Sequence, residues 1–450
     1  MATLPKIHKT DRLPLIVGFQ PISANTPEQT RVIERGEGIY VYDSTGKEYI
    51  EATASFYVAS LGYQNEELIE AIERQYRDLP FFVSGLNRTS ATSIELAEKL
   101  VQMVPIENAH IMFASTGSEA NDFLVKLYRF AAIAKGEKNR TTMISRYSSY
   151  HGGTLATASL TGSHHEEFGL PLEGFKHISQ PDYHGDRKPG ETEQEFSMRL
   201  AKELEDLIHS EPPNSIAALF AEPISFSAGF KPPPQGYFEA IKNVLDAHGI
   251  ELVADEVVTG VGRTGKFWGS DTLGLSPNNL TMGKGITSGY FPVSAIAIGE
   301  HLYEHLEVGS DKVGTLAHAG TFSAHPVGAA AGLKALEIIA RDKLVSHGVE
   351  MGQRLSEGLA PFSEHPAVGE VRSEGLGASI DFLVRDENDR TPNDNADENF
   401  MKVYNDLLDK GVVTRPAGRS VVIAPPLIIQ PQEVDDIVER IGESLNCIEP

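Results

Sequence analysis

Short, continuous apolar runs alternate with helical periodicity from about residue 65 onward. The runs cover residues 111–114, 216–221, 250–254, 279–282 and 293–298, and a further strand is expected near 142–145. Apolar runs of this length without polar alternation are typical of strands covered on both faces, and hence of a mostly parallel sheet. The pattern predicts an α/β protein whose chemistry gathers at the carboxyl ends of the strands.

The two ends of the chain follow a different pattern. Residues 37–50 predict a hairpin, because an Asp-Ser-Thr-Gly turn separates two strand-like segments. Past residue 326 an Ala/Leu-rich helix, extending to about residue 340, leads into a mixed segment. We therefore expect residues 61–326 to form a large domain. Residues 1–60 and 327–450 are expected to form a smaller domain together.

Composition excludes several classes of protein. The 450 residues include 40% hydrophobic and 23% charged residues, and the net charge of −24 argues against partners such as nucleic acid or an anionic membrane. A single cysteine, Cys447, excludes an intrachain disulfide framework and fits a reducing compartment. The first residues lack the apolar core of a signal peptide, and no stretch approaches the ~20 residues that span a bilayer. We expect a soluble cytoplasmic protein.

One lysine is placed for covalent chemistry. Lys284 lies between two glycines directly after the apolar run 279–282, and Asp255 ends the run that precedes it. A nucleophilic lysine needs a close approach to a carbonyl and a lowered pKa, and glycine neighbours permit that approach. A carboxylate at a strand end can hold a proton on a heteroaromatic nitrogen. The alternative for Lys284, taken alone, is an ordinary turn lysine on the surface.

Other polar segments follow the remaining strands. Ser115-Thr-Gly-Ser-Glu-Ala-Asn opens a helix, where free N–H groups and hydroxyls bind anions, although the same residues also match a capping box. Tyr150-His-Gly-Gly-Thr places an aromatic ring before glycines, which suits either stacking on a flat ligand or a core position. Glu222 ends another run, and Thr321 precedes the helix after residue 326 as a cap or a phosphate ligand. These alternatives stay open on the residues alone.

A glycine motif points elsewhere but lacks its context. Gly260-Val-Gly-Arg-Thr-Gly matches the dinucleotide-binding pattern after a strand. That interpretation requires a helix opened by the last glycines and an acidic residue about 20 positions further on. The segment that follows has no helical period, so a nicotinamide or flavin cofactor is disfavoured. The 15 histidines show no metal-binding spacing, and no metal is expected.

Taken in order, these segments resemble the class III aminotransferases, pyridoxal-phosphate enzymes of fold type I. The resemblance runs from Arg35-Gly-Glu-Gly-Ile-Tyr-Val-Tyr-Asp to Ala424-Pro-Pro-Leu, over nearly the whole chain. Its most specific element is Asp255-Glu-Val-Val-Thr-Gly-Val-Gly-Arg-Thr-Gly followed by Gly283-Lys-Gly. It implies a large cofactor-binding domain with a mostly parallel seven-stranded sheet, and a smaller α+β domain built from both chain ends.

The resemblance also implies a role for individual residues. Lys284 would bind the cofactor as an imine and then move a proton between two carbon atoms, while Asp255 would pair with the pyridinium nitrogen. The other residues implied to contact the cofactor are Gly117, Ser118, Tyr150, His151, Glu222, Val257 and Thr321. Because Thr321 would reach the phosphate in the neighbouring subunit, a homodimer is the smallest active unit implied, and a tetramer is also allowed.

The implied substrate pocket is that of the amine–pyruvate subgroup. Its residues would be Phe19, Tyr57, Leu86 and Arg415. Arg415 matches the mobile arginine that binds a substrate carboxylate, and Arg419 competes for that role. Gly85 and Gly320 stand where many relatives have larger side chains, which suggests a pocket that accepts bulky amines.

The expected activity is transfer of an amino group from a primary amine or ω-amino acid to a keto acid, with pyruvate as the expected acceptor. Two alternatives within the same fold are an aminomutase and a dialkylglycine-type decarboxylase. A protein that binds the cofactor without catalysis is a further alternative, against which Lys284, Asp255 and Glu222 argue. The sequence leaves the amine and the enantiopreference open.

Overall fold

The computed structural model describes residues 12–163, 165–382 and 395–448 of the chain. Residues 1–11, on which the expectation about a signal peptide largely depends, lie outside these ranges. Within the described ranges, no helix combines the length and the apolar character that crossing a membrane requires.

Strands occur from one end of the chain to the other. In chain order they are β1 (Ile33–Glu37), β2 (Tyr40–Asp43), β3 (Glu48–Glu51), β4 (His110–Ala114), β5 (Thr142–Arg146), β6 (Phe175–Ile178), β7 (Ile216–Ala221), β8 (Glu251–Asp255), β9 (Asn279–Met282), β10 (Ser294–Ile298), β11 (Glu370–Glu374), β12 (Gly377–Asp381), β13 (Val412–Val413), β14 (Arg415–Ala417) and β15 (Ser420–Ile423).

Helices separate most of these strands. They are α1 (Ala54–Tyr57), α2 (Glu66–Asp78), α3 (Ala91–Val101), α4 (Gly117–Lys135), α5 (Leu155–Leu160), α6 (Tyr183–Asp186), α7 (Glu193–Ser210), α8 (Tyr237–Ala247), α9 (Gly269–Leu273), α10 (Glu300–Val313), α11 (Pro326–Arg341), α12 (Leu344–Leu359), α13 (Ala396–Asp409) and α14 (Pro431–Leu445). Short 3-10 turns cover Ile22–Ala24, Glu166–Phe168, Lys284–Ile286 and Ala360–Glu364. The segment α1 is a single left-handed turn.

The described residues form one large sheet of seven strands, in the order β4-β10-β9-β8-β7-β5-β6. Strand β10 runs antiparallel to both of its neighbours, and the pairs from β9 to β6 are parallel. The predicted mostly parallel sheet is therefore confirmed. Strand β6 was missed because Phe-Lys-His-Ile is short and half polar, as suits a strand at the edge of a sheet.

Alternate residues of the central strands point to opposite faces of this sheet. In β7, Leu219 and Ala221 belong to one hydrophobic cluster, and Ala218 and Phe220 belong to another. Helices α4 and α10 pack on the second face. Burying a side chain as large as Phe220 contributes roughly 1.5–3 kcal/mol, so both layers of helices are held by the alternation within single strands.

Two four-stranded sheets lie outside the large one. The predicted hairpin is present as β2 and β3, in whose turn the Oδ1 atom of Asp43 accepts from the N–H groups of Thr45 at 2.9 Å and Lys47 at 3.1 Å. Strand β13 pairs in parallel with β3, so the two chain ends share a sheet. Strands β11, β12, β15 and β14 form the other sheet. The division at residues 60 and 326 stays a prediction.

The strand directions bring chosen segments to one edge of the large sheet. Strands β5, β7, β8 and β9 are parallel, and β4 shares their direction because β10 runs antiparallel to both β4 and β9. The segments after β4, β5, β7, β8 and β9 hold the polar residues that the sequence marked. The fold therefore places these residues at the edge where α/β proteins bind ligands.

Candidate active site

Lys284 lies two residues beyond β9 and begins a 3-10 turn with a φ of 45°. Its Nζ atom lies 5.4 Å from the centre of the Tyr57 ring, and it makes no hydrogen bond or ion pair within the described part of the chain. Burial, followed by the positive charge of Arg415, lowers the pKa of Lys284 to about 8, against the opposing effect of Asp255 and Glu222. The lowered pKa raises the neutral fraction near physiological pH, and the neutral amine is the nucleophile.

The glycines that flank Lys284 have different surroundings. A Cβ atom added to Gly285 would come within 3.0 Å of Val261 and 3.1 Å of the Ser60 hydroxyl. One added to Gly283 would lie in ordinary contact at 3.5 Å or more. The tight approach at Gly285 fixes the backbone behind the lysine, so the motif is a packed strand end rather than a surface turn.

Asp255 is the last residue of β8 and is 4% exposed. Its Oδ2 atom accepts from Asn121 Nδ2 at 2.7 Å and lies 2.8 Å from His151 Nδ1. Its Oδ1 atom accepts only a long bond of 3.2 Å from the N–H group of Val257 among the contacts of the described residues. The carboxylate is therefore held by one oxygen, and the other can accept a further proton donor.

Glu222 follows β7 and is also buried. Its carboxylate accepts from the hydroxyls of Ser225 at 2.9 Å and Ser227 at 3.1 Å, and Arg146 Nη2 lies 3.6 Å away. Burial raises the pKa of Glu222, while the charges of His151 and Arg146 oppose the rise. The buried cation of Arg146 offsets the charge of this buried acid, and the pairing allows both groups to remain in the core.

The amino end of α4 forms a cradle of backbone N–H groups. The first bond of this helix runs from Ala120 N to Thr116 O, so the N–H groups of Gly117 and Ser118 are free to face a ligand. The Ser118 hydroxyl accepts from the N–H group of Gly153 at 3.1 Å. Thr116 caps the helix by accepting from Glu119 N at 3.1 Å, while the Glu119 carboxylate accepts from Ser115 N at 2.6 Å instead of closing a capping box. Anion binding by this segment stays a prediction.

Val257 lies behind this cradle. A Cβ atom at Gly117 would meet both of its methyl groups at 3.0 Å, and one at Gly283 would lie 3.6 Å from it. Val257 thus packs between the helix start and the segment that carries Lys284. Tyr150, on the loop after β5, is 40% exposed. Burial raises its pKa, with Arg415 opposing and Asp255 adding to the rise, so both charges act on this ring.

Arg415 opens β14 and faces two aromatic rings. Its Nη1 atom lies 3.2 Å from the Tyr57 hydroxyl, and its guanidinium carbon lies 5.1 Å from the centre of the Phe56 ring. Arg419 points elsewhere, since it pairs with Asp397 through contacts of 2.6 and 3.1 Å. Of the two arginines, only Arg415 therefore adjoins Tyr57 and Lys284.

Phe56 and Tyr57 stand on a left-handed turn. Four successive residues, Ala54 to Tyr57, have φ values of 48°, 50°, 56° and 69°, although none is glycine. The turn is closed by bonds of 2.7 Å from Tyr57 N to Thr53 O and from Val58 N to Ala54 O. This conformation costs roughly 1–2 kcal/mol per residue, and strain of this kind gathers at functional sites.

Three expected site residues lie on the surface of the single chain. Leu86 and Phe19 are each 88% exposed, and Thr321 is exposed as well. Phe19 reaches the site through Phe56, whose ring centre lies 6.2 Å from its own. The structure does not bring Leu86 or Thr321 into contact with Lys284 within one subunit.

The two small residues expected to enlarge the pocket differ. A Cβ atom at Gly85 would find nothing within 4 Å, whereas one at Gly320 would come 2.5 Å from the Ser323 hydroxyl and 3.2 Å from Glu119. Gly320 is therefore small because its own loop packs tightly. Only Gly85 borders open space.

Sequence reasoning missed two residues that shape the site. Asn121 belongs to the helix-opening segment, and its signal is a polar residue on the buried face of α4. Arg146 ends β5 and is 1% exposed. A charged residue that completes a buried strand is a signal in itself, because a buried charge needs a partner. The glycine motif at 260–265, by contrast, forms turns, and its Arg263 binds the carbonyls of Leu376 and Pro425.

The arrangement suits a phosphorylated aldehyde with a basic ring nitrogen. The helix start offers N–H groups and a hydroxyl to a phosphate, Lys284 offers an amine with a lowered pKa, and Asp255 offers a carboxylate oxygen to a protonated ring nitrogen. These donors and acceptors are those that pyridoxal phosphate requires. Fold and site together define a pyridoxal-phosphate enzyme of fold type I.

Comparisons with known proteins agree. The model of the aminotransferase class-III family matches residues 22–445. A probable mitochondrial gamma-aminobutyrate transaminase 3 of Oryza sativa subsp. indica is 38% identical over 442 residues, which cover 97% of this chain and 85% of that protein. A diaminobutyrate–2-oxoglutarate transaminase of Halomonas elongata is 36% identical and is covered to 90%, with 93% of this chain.

A solved structure extends the agreement to three dimensions. The omega transaminase from Pseudomonas jessenii in complex with PMP has a TM-score of 0.90 and 41% identity, covering 93% of this chain and 92% of that one. The chain belongs to the class III aminotransferases, which use pyridoxal phosphate. The expected family, fold and cofactor are thereby confirmed.

Proposed function

We propose that this aminotransferase is an omega-transaminase, which moves an amino group from a primary amine or ω-amino acid to pyruvate. The observation that carries this proposal is the position of Arg415 against Tyr57 and Phe56, beside Lys284. A cation next to aromatic rings can bind the carboxylate of an amino or keto acid bidentately. The rings offer apolar surface to an uncharged amine when the carboxylate is absent.

The residues would divide the chemistry between them. Bound pyridoxal phosphate supplies an electron sink for the charge left when the substrate loses a proton. Gly117 and Ser118 would hold the phosphate, Asp255 would accept the ring N–H, and Val257 and Tyr150 would enclose the ring. The remaining contacts are proposed for His151, Glu222 and Thr321. Lys284, whose lowered pKa leaves part of the amine uncharged, would carry the cofactor and then move the proton.

Lys284 can be tested against a matched control. Lys284→Ala should lose all turnover and all cofactor that borohydride fixes to the protein. Lys266→Ala removes an exposed lysine that also follows a glycine and contacts only the Asp271 carbonyl at 2.9 Å, so it should keep both. Turnover by Lys284→Ala would overturn the proposed role.

The amine and the acceptor can be tested in separate half-reactions. Candidate amines are mixed with the pyridoxal form and the loss of its visible absorption is followed, and the pyridoxamine form is then mixed with pyruvate or 2-oxoglutarate. We expect faster recovery with pyruvate. Faster recovery with 2-oxoglutarate would align the chain with its Halomonas relative instead. Product formed without any keto acid would favour an aminomutase, and released carbon dioxide a decarboxylase.

A homodimer is the second part of the proposal. Apolar side chains stay exposed on the segment 81–86 and beside Thr321, where Phe322 is 62% exposed and its ring centre lies 5.7 Å from that of Phe81. Exposed apolar patches of this kind mark protein interfaces. A partner covering this patch would bring its own Thr321 and Leu86 towards the first subunit's site. Leu86→Asp should yield monomers by light scattering and weaken cofactor binding; active monomers would contradict this.

Gly85 is the proposed source of tolerance for bulky amines. Gly85→Phe should slow large amines more than small ones, because it fills open space. Gly320→Phe is a poor test, since its side chain would first displace Ser323. Equal effects of Gly85→Phe on the rates with large and small amines would contradict this role of Gly85.

We also propose a cytoplasmic location, supported by a composition with one cysteine, which fits a reducing compartment. Cell fractionation tests it. The rice relative is described as mitochondrial, and recovery of this protein from an organelle would contradict the proposal.

A further inference from the structure

A buried amide joins two parts of the site. Asn121 lies in the first turns of α4 and is 1% exposed. Its Nδ2 atom lies 2.9 Å from the carbonyl oxygen of His151 and 2.7 Å from Oδ2 of Asp255. One side chain therefore connects α4, the loop after β5 and the end of β8.

The hydrogen-bond partners fix the orientation of this amide. A backbone carbonyl can only accept, so the group facing the His151 carbonyl must be the NH₂ end of Asn121. The second N–H of the same nitrogen then donates to Asp255 Oδ2, and hydrogen bonds donated to a carboxylate favour its charged form. His151 Nδ1 lies 2.8 Å from the same oxygen. These two contacts occupy Oδ2, and Oδ1 is left as the oxygen available to a ligand.

The arrangement carries a cost as well as a benefit. Asn121 Oδ1 and His151 Nε2 are buried, and neither has a hydrogen-bond partner in the described structure. A buried polar atom without a partner is unfavourable, and the two hydrogen bonds that the NH₂ group donates offset this cost. The amide is in place for what its NH₂ group does to Asp255.

We infer that Asn121 is a positioning residue, which keeps Asp255 ionised and presents Oδ1 to the ring nitrogen of the cofactor. The inference rests on the proposed role of Asp255. A protonated or rotated Asp255 would leave the ring nitrogen without its anion, so the cofactor would bind less tightly and withdraw electrons less strongly. Asn121 would act without touching substrate or the reacting atoms.

The chain contains a matched control on the same helix and strand. Tyr128, also on α4, donates its hydroxyl at 2.8 Å to Glu251, the first residue of β8. Tyr128→Phe therefore removes one helix-to-strand hydrogen bond to a buried carboxylate, as Asn121→Ala does. It does so at the opposite end of β8, about 13 Å away along a strand of this length.

The experiment compares apoenzymes of the wild type, Asn121→Ala and Tyr128→Phe, titrated with pyridoxal phosphate across pH. We expect Asn121→Ala to bind the cofactor at least about tenfold more weakly, as loss of a hydrogen bond to a charged group predicts. Its affinity should also fall at a higher pH on acidification than that of the wild type. Tyr128→Phe should match the wild type in both measurements. Asn121→Ser serves as a second variant should the alanine variant fold poorly.

The outcomes separate this inference from the function it rests on. A normal affinity and pH profile in Asn121→Ala, with only a change in melting temperature, would overturn the positioning role. An equal loss of affinity in Tyr128→Phe would also overturn it, because the effect would then be general. Failure of wild-type apoenzyme to bind pyridoxal phosphate, or normal binding by Asp255→Asn, would instead contradict the proposed site.

Discussion

Strand β8 carries a buried carboxylate at each end, and the two carboxylates differ in their hydrogen-bond partners. At the amino end, Glu251 accepts from Tyr128 at 2.8 Å and Asn279 at 2.6 Å, and His301 contacts its other oxygen. At the carboxyl end, Asp255 has two partners on Oδ2 and only a long contact on Oδ1 among the described residues. The same helix, α4, supplies a donor to each.

The difference separates a structural carboxylate from the one proposed to pair with the cofactor. Burial alone would raise the pKa of Glu251, but hydrogen bonds from His301 and Tyr128 hold it below the usual value. Both oxygens of Glu251 are in contact with other groups of the protein. Oδ1 of Asp255 can still accept a hydrogen bond from a ligand, and burial likewise leaves the Lys284 amine partly uncharged. Burial with incomplete pairing marks the functional edge of this sheet.

The strongest way to break the comparison is to remove each charge in turn. Asp255→Asn should reduce turnover at least about 10²-fold, as loss of a preorganised electrostatic contact does. Glu251→Gln should leave turnover intact and lower the free energy of unfolding by about 1–3 kcal/mol, because the carboxamide offers the surrounding groups one accepting oxygen instead of two. Steady-state kinetics and urea denaturation measure both. Equal loss of turnover in the two variants would erase the distinction.

A second test concerns the pH at which Lys284 captures the cofactor. Only the neutral amine attacks a carbonyl, so the rate with apoenzyme should rise as pH increases through about 8. Arg415→Met removes a positive charge that lowers this pKa, so the midpoint should move to higher pH. Arg419→Met is the control, because Arg419 pairs with Asp397. A midpoint unmoved by Arg415→Met would show that burial alone sets the pKa.

The smallest effect is expected at Glu251, at the amino end of β8. The hydrogen bond to Glu251 raises the pKa of His301 above 6.5, so this contact stabilises the fold fully below that pH and is lost as pH rises through the raised value. The His301 side chain is 67% exposed, and solvent should limit the effect to a few tenths of a kcal/mol. Melting curves of His301→Gln and wild type should differ at pH 6 and converge at pH 9. A constant difference would assign the effect to packing.

The large sheet was predictable because its strands are buried on both faces. The run Ile216–Ala221 is continuous and apolar, and the structure buries each of its residues. The edge strand Phe175–Ile178 has no such run, since two of its four residues are polar. Strand β13 has two residues and exists only through its partner β3, so local pattern carries no signal for it.

The site residues likewise differ in whether local sequence pattern predicts them. Lys284 and Asp255 end strands, and such positions follow from the pattern once the strands are placed. Asn121 and Arg146 act through partners that are distant in sequence, so a single sequence cannot pair them. Leu86 and Thr321 are exposed in one chain, and their roles depend on a surface that a second subunit would complete.

The left-handed turn at Ala54–Tyr57 bears on how the protein unfolds. A strained turn persists only when its surroundings are already in place, so it should form after the transition state for folding. Changes that relieve the strain, such as Ser55→Gly, would then slow unfolding and leave the folding rate unaltered. The lifetime of the native enzyme can thus be lengthened at a turn that is proposed to line the substrate pocket, so changes in this turn would affect both durability and specificity.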